Sequence, residues 1–264
     1  MNRLDALESD SVFIIREAFS RLKPLGMLWS LGKDSNVLLW LARKAFFGHL
    51  PFPVILLDTG NEFDEVYAFR DRYVREWKLH YINATCPPIE ETDPSLPPMS
   101  RAAARKTLGL KRLIAERKFR GVLLGIRRDE QAVRSKERVF SPRDANGKWD
   151  FRHQPPEFWD QYKCELPQGT HARIHPLLAW TELDVWRYIE REGIPVVPLY
   201  FARAGNRYRS LGEKDITSPI ASQASTIAEI IAELSTTDEA ERAGRGMDHE
   251  REDAFESLRS AGYM

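Results

Sequence analysis

Apolar positions in the first half of the chain alternate between two periods. Phe13, Ile14, Ala18 and Leu22 share one face of a helical repeat, with Ser11 placed to cap the helix and Pro24 to close it. Residues 27–29 read as a short strand. Residues 35–47 return to helical spacing, with Val37, Leu38, Leu41 and Ala42 on one side. "VILLD" (54–58) and "GVLLG" (121–125) are continuous apolar runs, the pattern of strands covered on both faces. Between them, 62–77 is helical and 79–82 strand-like. The stretch 86–100 holds five prolines and is a loop, and 102–118 is helical again.

Strands alternating with helices of this length predict an α/β fold: a doubly wound, mostly parallel sheet flanked by helices. Ligands of such sheets bind beyond the carboxyl ends of the strands. The loops after Trp29, Leu57 and Leu124 should therefore converge on one site. Past Gly125 the alternation weakens. Thr181 and Asp184 form a capping-box pattern, and Gly193 and Pro195 end that helix. Residues 225–234 are amphipathic, and the last twenty residues are polar and expected to form a helical tail.

Composition narrows the function class. The chain has 264 residues, enough for a sizeable core. Its 39 lysines and arginines equal its 39 aspartates and glutamates, so no global field draws it to nucleic acid or to a membrane surface. Any anion site must come from local clustering. Two cysteines, Cys86 and Cys164, without a CxxC, argue against a disulfide scaffold or a cysteine-rich zinc site. The N-terminus is too charged for a signal peptide, and no apolar run approaches the roughly 18 residues of a membrane span. The expectation is a cytoplasmic globular protein.

The chemistry concentrates in "SLGKDS" (30–35), between a strand and a helix. It is not a Walker loop, because Met27 stands at the first glycine and Asp34 at the magnesium-binding Ser or Thr. It resembles instead the SxGxDS pyrophosphate-binding loop of the N-type ATP pyrophosphatases. A loop entering a helix aims backbone N–H groups and the positive end of the helix dipole at one spot. Gly32 admits a phosphate closely, Ser30 and Ser35 supply hydroxyls, and Lys33 adds charge. Asp34 reads as an N-cap or as a ligand to phosphate-bound Mg²⁺.

"PFPVILLDTG", "FRDRY", "GIRRDE", "KERVFSPRD", "HPLLAWTELDVWRYI", "VPLY", "RYRSLG" and "STIAEIIAELSTTDEAERAGR" resemble, in order, segments of the small subunit of bacterial ATP sulfurylase, in the PAPS reductase-like superfamily. The resemblance runs from about Val12 to the C-terminus and implies adenylyl transfer from ATP to sulfate. Ser30, Gly32, Lys33, Asp34 and Ser35 would hold the β- and γ-phosphates, with Mg²⁺ on Asp34. Leu57, Asp58 and Gly60 would border the adenosine, and Gly125 and Arg127 the nucleotide at the third strand's end. The candidate catalytic cations are Lys33 of the loop, with Arg128 and Arg134 from a basic run that continues through Lys136, Arg138 and Arg143. Arg207, Arg209 and His175 are weaker candidates.

This divides the chain into a nucleotide-binding domain, 1–200, and an extension, 201–264, packing on it or on a partner. The resemblance implies a GTPase large subunit and leaves room for a homo-oligomer. Three departures bear on the acceptor and the partner. Asn61 replaces the family's Trp, Glu213 replaces its Cys, and only "FARAGN" separates Tyr200 from Arg207 where the family carries a longer segment. Adenylation of a carbonyl or amide oxygen for sulfur incorporation is the enzyme alternative. A non-catalytic nucleotide-binding subunit is the alternative from another class. No cysteine follows Cys164 to serve as a reductase nucleophile.

Overall fold

The computed structural model describes residues 2–237 and Glu241. Helices α1 (Arg3–Arg21), α2 (Lys33–Ala45), α3 (Asp64–Glu76) and α4 (Pro98–Arg117) alternate with strands β1 (Leu25–Leu28), β2 (Val54–Asp58), β3 (Tyr81–Thr85) and β4 (Gly121–Leu123). The chain continues through a short α5 (Ala132–Ser135), β5 (Phe140–Arg143), β6 (His171–Ile174), α6 (Glu182–Glu192), a small antiparallel pair of β7 (Asn206–Arg207) and β8 (Ile220–Ala221), and α7 (Ile227–Leu234). The main sheet has the order β3-β2-β1-β4-β6-β5, parallel except for β5. The expected fold class stands.

The continuous apolar runs have the predicted cause. Met27, Val54, Leu56 and Leu123 pack on one face with Val37, Leu38 and Leu41 of α2. Leu28, Ile55, Leu57, Val122 and Leu124 pack on the other with Leu110 and Leu113 of α4. Alternate residues of each strand thus enter different cores, so no polar position appears. The chain moves from β1 outward to β2 and β3, then returns through α4 to β4 on the other side of β1. The crevice between the ends of β1 and β4 is the topological switch point.

The first helix differs from expectation. Asn2, not Ser11, is its N-cap, in a capping box with Asp5. Ser11 is buried mid-helix, donating to the Pro176 carbonyl at 2.8 Å and accepting from Trp180 Nε1 at 3.0 Å. Ser11→Ala strands both partners. Urea denaturation should show a loss of about 1–3 kcal/mol, the range for a buried polar group left unpaired. An unchanged midpoint would contradict the pairing. The capping box of Thr181 and Asp184 is formed, with Gly193 at φ 64° closing α6. The expected C-terminal tail lies outside the described residues, and no helix among those is long and apolar enough to cross a membrane.

Candidate active site

The loop after β1 is shaped by burial on both sides. Trp29 is fully buried, and its Nε1 donates to Asn36 Oδ1 at 2.7 Å, tying the loop's entry to the first turn of α2. Leu31 adopts φ 65°, a left-handed conformation that costs a leucine about 1–2 kcal/mol and turns the chain sharply into the helix. Gly32 is the N-cap and makes no side-chain cap bond. Asp34, expected as a cap or a metal ligand, is therefore not the cap. It lies in the first turn, where a carboxylate complements the helix dipole. The Lys33 N–H donates to Tyr200 Oη at 2.8 Å, and burial first of all pushes that phenol's pKa up to about 12. Ser35 Oγ donates to the Gly32 carbonyl at 2.9 Å and lies 3.2 Å from Ser30 Oγ.

The Lys33 side chain is 1 % exposed, which no isolated ammonium tolerates. Its Nζ lies 3.2 Å from Asp34 and 3.9 Å from Glu182, and it bonds Glu241 Oε1. Burial disfavours the charge, but Asp34, Glu241 and Glu182 together outweigh it and hold the lysine above its ordinary pKa. Arg127 is equally buried. Its Nε bonds Asp129 at 2.9 Å, Nη1 bonds Asp34 and Nη2 bonds Glu241. Burial would raise the Glu241 carboxyl, yet Arg127 and Lys33 keep it well below the carboxylate range. Glu182 is pushed up by burial and by Glu241, against the pull of Lys33 and of Arg209, whose Nη2 bonds it at 2.8 Å.

A cavity of about 190 Å³ opens here. Ser30, Gly32, Lys33, Asp34 and Ser35 line it, as do Arg134 and Glu130. Leu28, Leu124, Gly125 and Ile126, from the ends of β1 and β4, and residues 210–213 complete the lining. Of the three loops expected to converge, those after β1 and β4 line the cavity, and the one after β2 reaches it only through Glu62. Gly125 has a packing reason: a Cβ there would meet Asp34 C, Asp34 O and Ser35 N, each at 3.1 Å. Those are backbone atoms of the phosphate loop and cannot step aside singly. Gly125→Ala should displace the loop, lowering ATP affinity about tenfold while shifting Tm by only a few degrees, within the about 1–3 kcal/mol of overpacking. Calorimetry beside a melting curve checks it, and unchanged affinity would contradict it.

Other candidates fall elsewhere. Arg134 is mostly buried, pairs with Glu130 and lines the cavity, whereas Arg128 is exposed and outside it. Leu57, Asp58 and Gly60 are not among its lining residues. Asp58 instead builds the turn after β2, accepting from Gly60 N and Tyr67 Oη, both at 2.8 Å, and from Asn83 Nδ2 at 3.1 Å. Burial would raise its pKa, but those donors hold it below the usual range. Gly60, at φ 77°, supplies the turn. Arg143 is buried against Glu137 at 2.9 Å and Arg207 pairs with Glu233, both structural ties. Arg209 holds Glu182 beside Lys33. His175 is buried, with Nδ1 2.7 Å from the Arg138 carbonyl, away from the cavity. Sequence reasoning missed Glu241 and Glu62. Glu241 lies more than two hundred residues from its lysine, so no local pattern could find it.

Comparison with known proteins gives the family and the fold. Residues 24–219 match the family model of the phosphoadenosine phosphosulfate reductase domain. Sulfate adenylyltransferase subunit 2 of Pseudomonas aeruginosa is 38 % identical over 303 aligned positions, covering 100 % of this chain and 99 % of that protein. The Pseudomonas putida protein of that name gives the same figures. The alignment is longer than the 264-residue chain, so the relatives carry residues this chain lacks. Among solved structures, Candida glabrata FMN adenylyltransferase in complex with ATP has a TM-score of 0.57 at 18 % identity, covering 82 % of this chain and 63 % of that one. Candida auris phosphoadenylyl-sulfate reductase, as a phosphate complex, has a TM-score of 0.53 at 16 % identity, covering 83 % and 98 %. These two likenesses concern the fold. By domain match and full-length identity, the chain belongs to the sulfate adenylyltransferase subunit 2 family, within the phosphoadenosine phosphosulfate reductase domain family.

Proposed function

We propose that the chain transfers the adenylyl group of ATP to sulfate, giving adenylyl sulfate and pyrophosphate. One observation carries the reading: the loop after β1 and the first turn of α2 bring Ser30, Lys33 and Ser35 to a cavity at the switch point of the sheet. The acceptor comes from the relatives' name, and "subunit 2" in that name supports a large partner subunit. A GTPase is the partner that the sequence resemblance adds.

In this reading the β- and γ-phosphates lie on the 30–35 loop. A sulfate oxygen attacks the α-phosphorus while the bond to the α–β bridging oxygen breaks, and that oxygen leaves with pyrophosphate. Sulfate is already ionised, so no general base is required. Catalysis then consists of alignment and charge neutralisation. Lys33 stabilises the leaving group, with Arg127 behind it holding Asp34 and Glu241, and Arg134 on the cavity wall is a stronger candidate than Arg128 for orienting sulfate. Glu241 now pairs with both Lys33 and Arg127, so it must give way when phosphate arrives.

Phosphate-bound Mg²⁺ keeps several waters and takes one or two protein carboxylates. Asp34, a carboxylate lining the cavity beside the phosphate loop, could supply one if it gave up its pairing with Lys33 or Arg127, and no group of three acidic, His or Cys side chains for an all-protein metal site occurs among the described residues. Bound there, the ion would neutralise phosphate charge.

The test is exchange of labelled pyrophosphate into ATP, with and without sulfate. Sulfate-dependent exchange is expected. Exchange that ignores sulfate but responds to a carbonyl or amide compound would move the acceptor. Nucleotide binding without exchange, even with a large subunit added, would overturn catalysis.

A further inference from the structure

A second cavity, of about 870 Å³, lies at the amino ends of β4 and β6, whereas the 30–35 loop follows the carboxyl end of β1. The two cavities share no lining residue. Arg120 stands just before β4, His171 opens β6, Lys111 comes from the second half of α4, and Lys118 is the C-cap of that helix. Ala172 and Ile174 enter the core that holds α2, so the alternate positions His171 and Arg173 face the α4 side of the sheet. The stem of Lys111 passes over Gly147, where a Cβ would meet Lys111 Cε at 3.1 Å.

The lining carries Lys111, Lys118, Arg120 and His171 and no aspartate or glutamate, in a chain of zero net charge. Arg120 Nη1 donates to the Pro167 and Thr170 carbonyls at 2.9 and 2.7 Å, and Nη2 to the Leu166 carbonyl at 2.7 Å. These neutral acceptors fix the guanidinium plane without cancelling its charge. Among the described residues, no carboxylate pairs with Arg120 or Lys118. Asp144 acts on Lys111 and His171 but lies outside the lining, and its Oδ1 accepts from Asn146 N at 2.9 Å and Lys148 N at 2.8 Å. Burial first, and then Arg173, lowers the pKa of both Lys111 and His171, the latter to about 3. The neutral His171 is 5 % exposed, and its Nε2 has no hydrogen-bond partner. A buried nitrogen in that state is rare and asks for a ligand or a water.

Ile114, Phe119 and Leu166 add apolar surface to the same cavity. Three lining cations call for more than a single negative charge. A phosphate monoester carries about −1.5 to −2 at neutral pH on three acceptor oxygens, whereas a sulfate ester or a carboxylate carries a single charge. We infer that this cavity is a second ligand site, for an organic phosphate monoester whose head is held by Lys111, Lys118 and Arg120 and whose apolar body lies on Ile114, Phe119 and Leu166. The site stands apart from the proposed reaction and does not depend on it.

Calorimetry on the purified full chain tests it, with 1-naphthyl phosphate as the probe. The comparisons are 1-naphthyl sulfate, the same ring with less charge, and inorganic phosphate, the head without a ring. The probe should bind about tenfold or more tighter than either. Lys111→Met keeps the stem and removes the charge. Lys118→Asn removes the other charge with a residue that tolerates the φ of 56° found there. The double variant, checked for an unchanged melting profile, should bind the probe about tenfold or more weakly, while Lys33→Met stays within about twofold. No binding by the unmodified chain overturns the site, and equal binding of the sulfate ester overturns the phosphate class. Binding that survives the double variant, or that falls in Lys33→Met instead, puts the probe elsewhere and also overturns the inference. If the double variant unfolds, Lys118→Asn alone decides at its exposed position: about threefold or more weakening supports the site, and unchanged affinity overturns it.

Discussion

Lys33→Met should lower kcat/KM for sulfate-dependent pyrophosphate release by about two to three orders of magnitude, the range for removing one preorganised group from a developing charge. Lys33 is nearly fully buried at the first turn of α2, held charged by Asp34, Glu241 and Glu182. In the proposed reaction the phosphates replace Glu241 as its partner, and the charge on the leaving pyrophosphate grows as the α–β bond breaks. The loss should fall mainly on kcat, with a smaller change in ATP affinity. Lys33→Arg, which keeps the charge but not its shape, should recover part of it. A melting curve guards against misreading, because the variant leaves three carboxylates short of a cation. A folded Lys33→Met chain with turnover within about threefold of the unmodified one would remove Lys33 from the chemistry.

Glu241→Gln should act in the opposite direction on binding. The Glu241 carboxylate bonds Lys33 and Arg127 at once, as an internal substitute for phosphate. Around this centre, among the described residues, Lys33, Arg127 and Arg209 face Asp34, Asp129, Glu182 and Glu241, so an incoming phosphate meets an excess of carboxylates. ATP must displace Glu241 first, and its apparent affinity is reduced by the fraction of chains in which the site is open. A hydrogen bond to a charged group contributes about 1.5–3 kcal/mol. Glu241→Gln should accordingly tighten ATP binding by about ten- to a hundredfold, read by calorimetry, with the same sense for tripolyphosphate. Binding that weakens would make Glu241 a supporting residue rather than a competitor.

What the sequence made legible followed from local rules. "VILLD" is β2 residue for residue, because a strand buried on both faces has no polar position to blur its ends. The phosphate loop was legible as a strand-to-helix turn, and the Thr181 capping box as a short-range exchange of hydrogen bonds. β5 was missed because "FSPR" carries a proline and an arginine, which argue against a strand. It is tolerated as the antiparallel edge strand, with Arg143 neutralised by Glu137. Ser11 looked like a cap because serine usually is one. Its burial against Pro176 and Trp180 depends on the chain returning some 165 residues later.

The candidate site divides the same way. Ser30, Gly32, Lys33, Asp34, Ser35 and Gly125 meet at the cavity, because strand ends in a doubly wound sheet must converge. Arg127 was expected on nucleotide but is engaged by Asp34, Asp129 and Glu241, and only the folded chain reveals that. Asp58 shows the limit of position alone: it sits at a strand's carboxyl end, yet three local donors fix it in the turn. Glu62, Lys106 and Glu213, which also line the cavity, have no sequence signature, since they are spread over some 150 residues and joined only by packing.

The most direct measurement is pyrophosphate release by the purified chain from ATP and Mg²⁺, with and without sulfate, then with a large subunit and GTP, with adenylyl sulfate identified as product. The account predicts release that depends on sulfate and is lost in Lys33→Met. Release at equal rates without sulfate, or none under any of these conditions while ATP still binds, would contradict it.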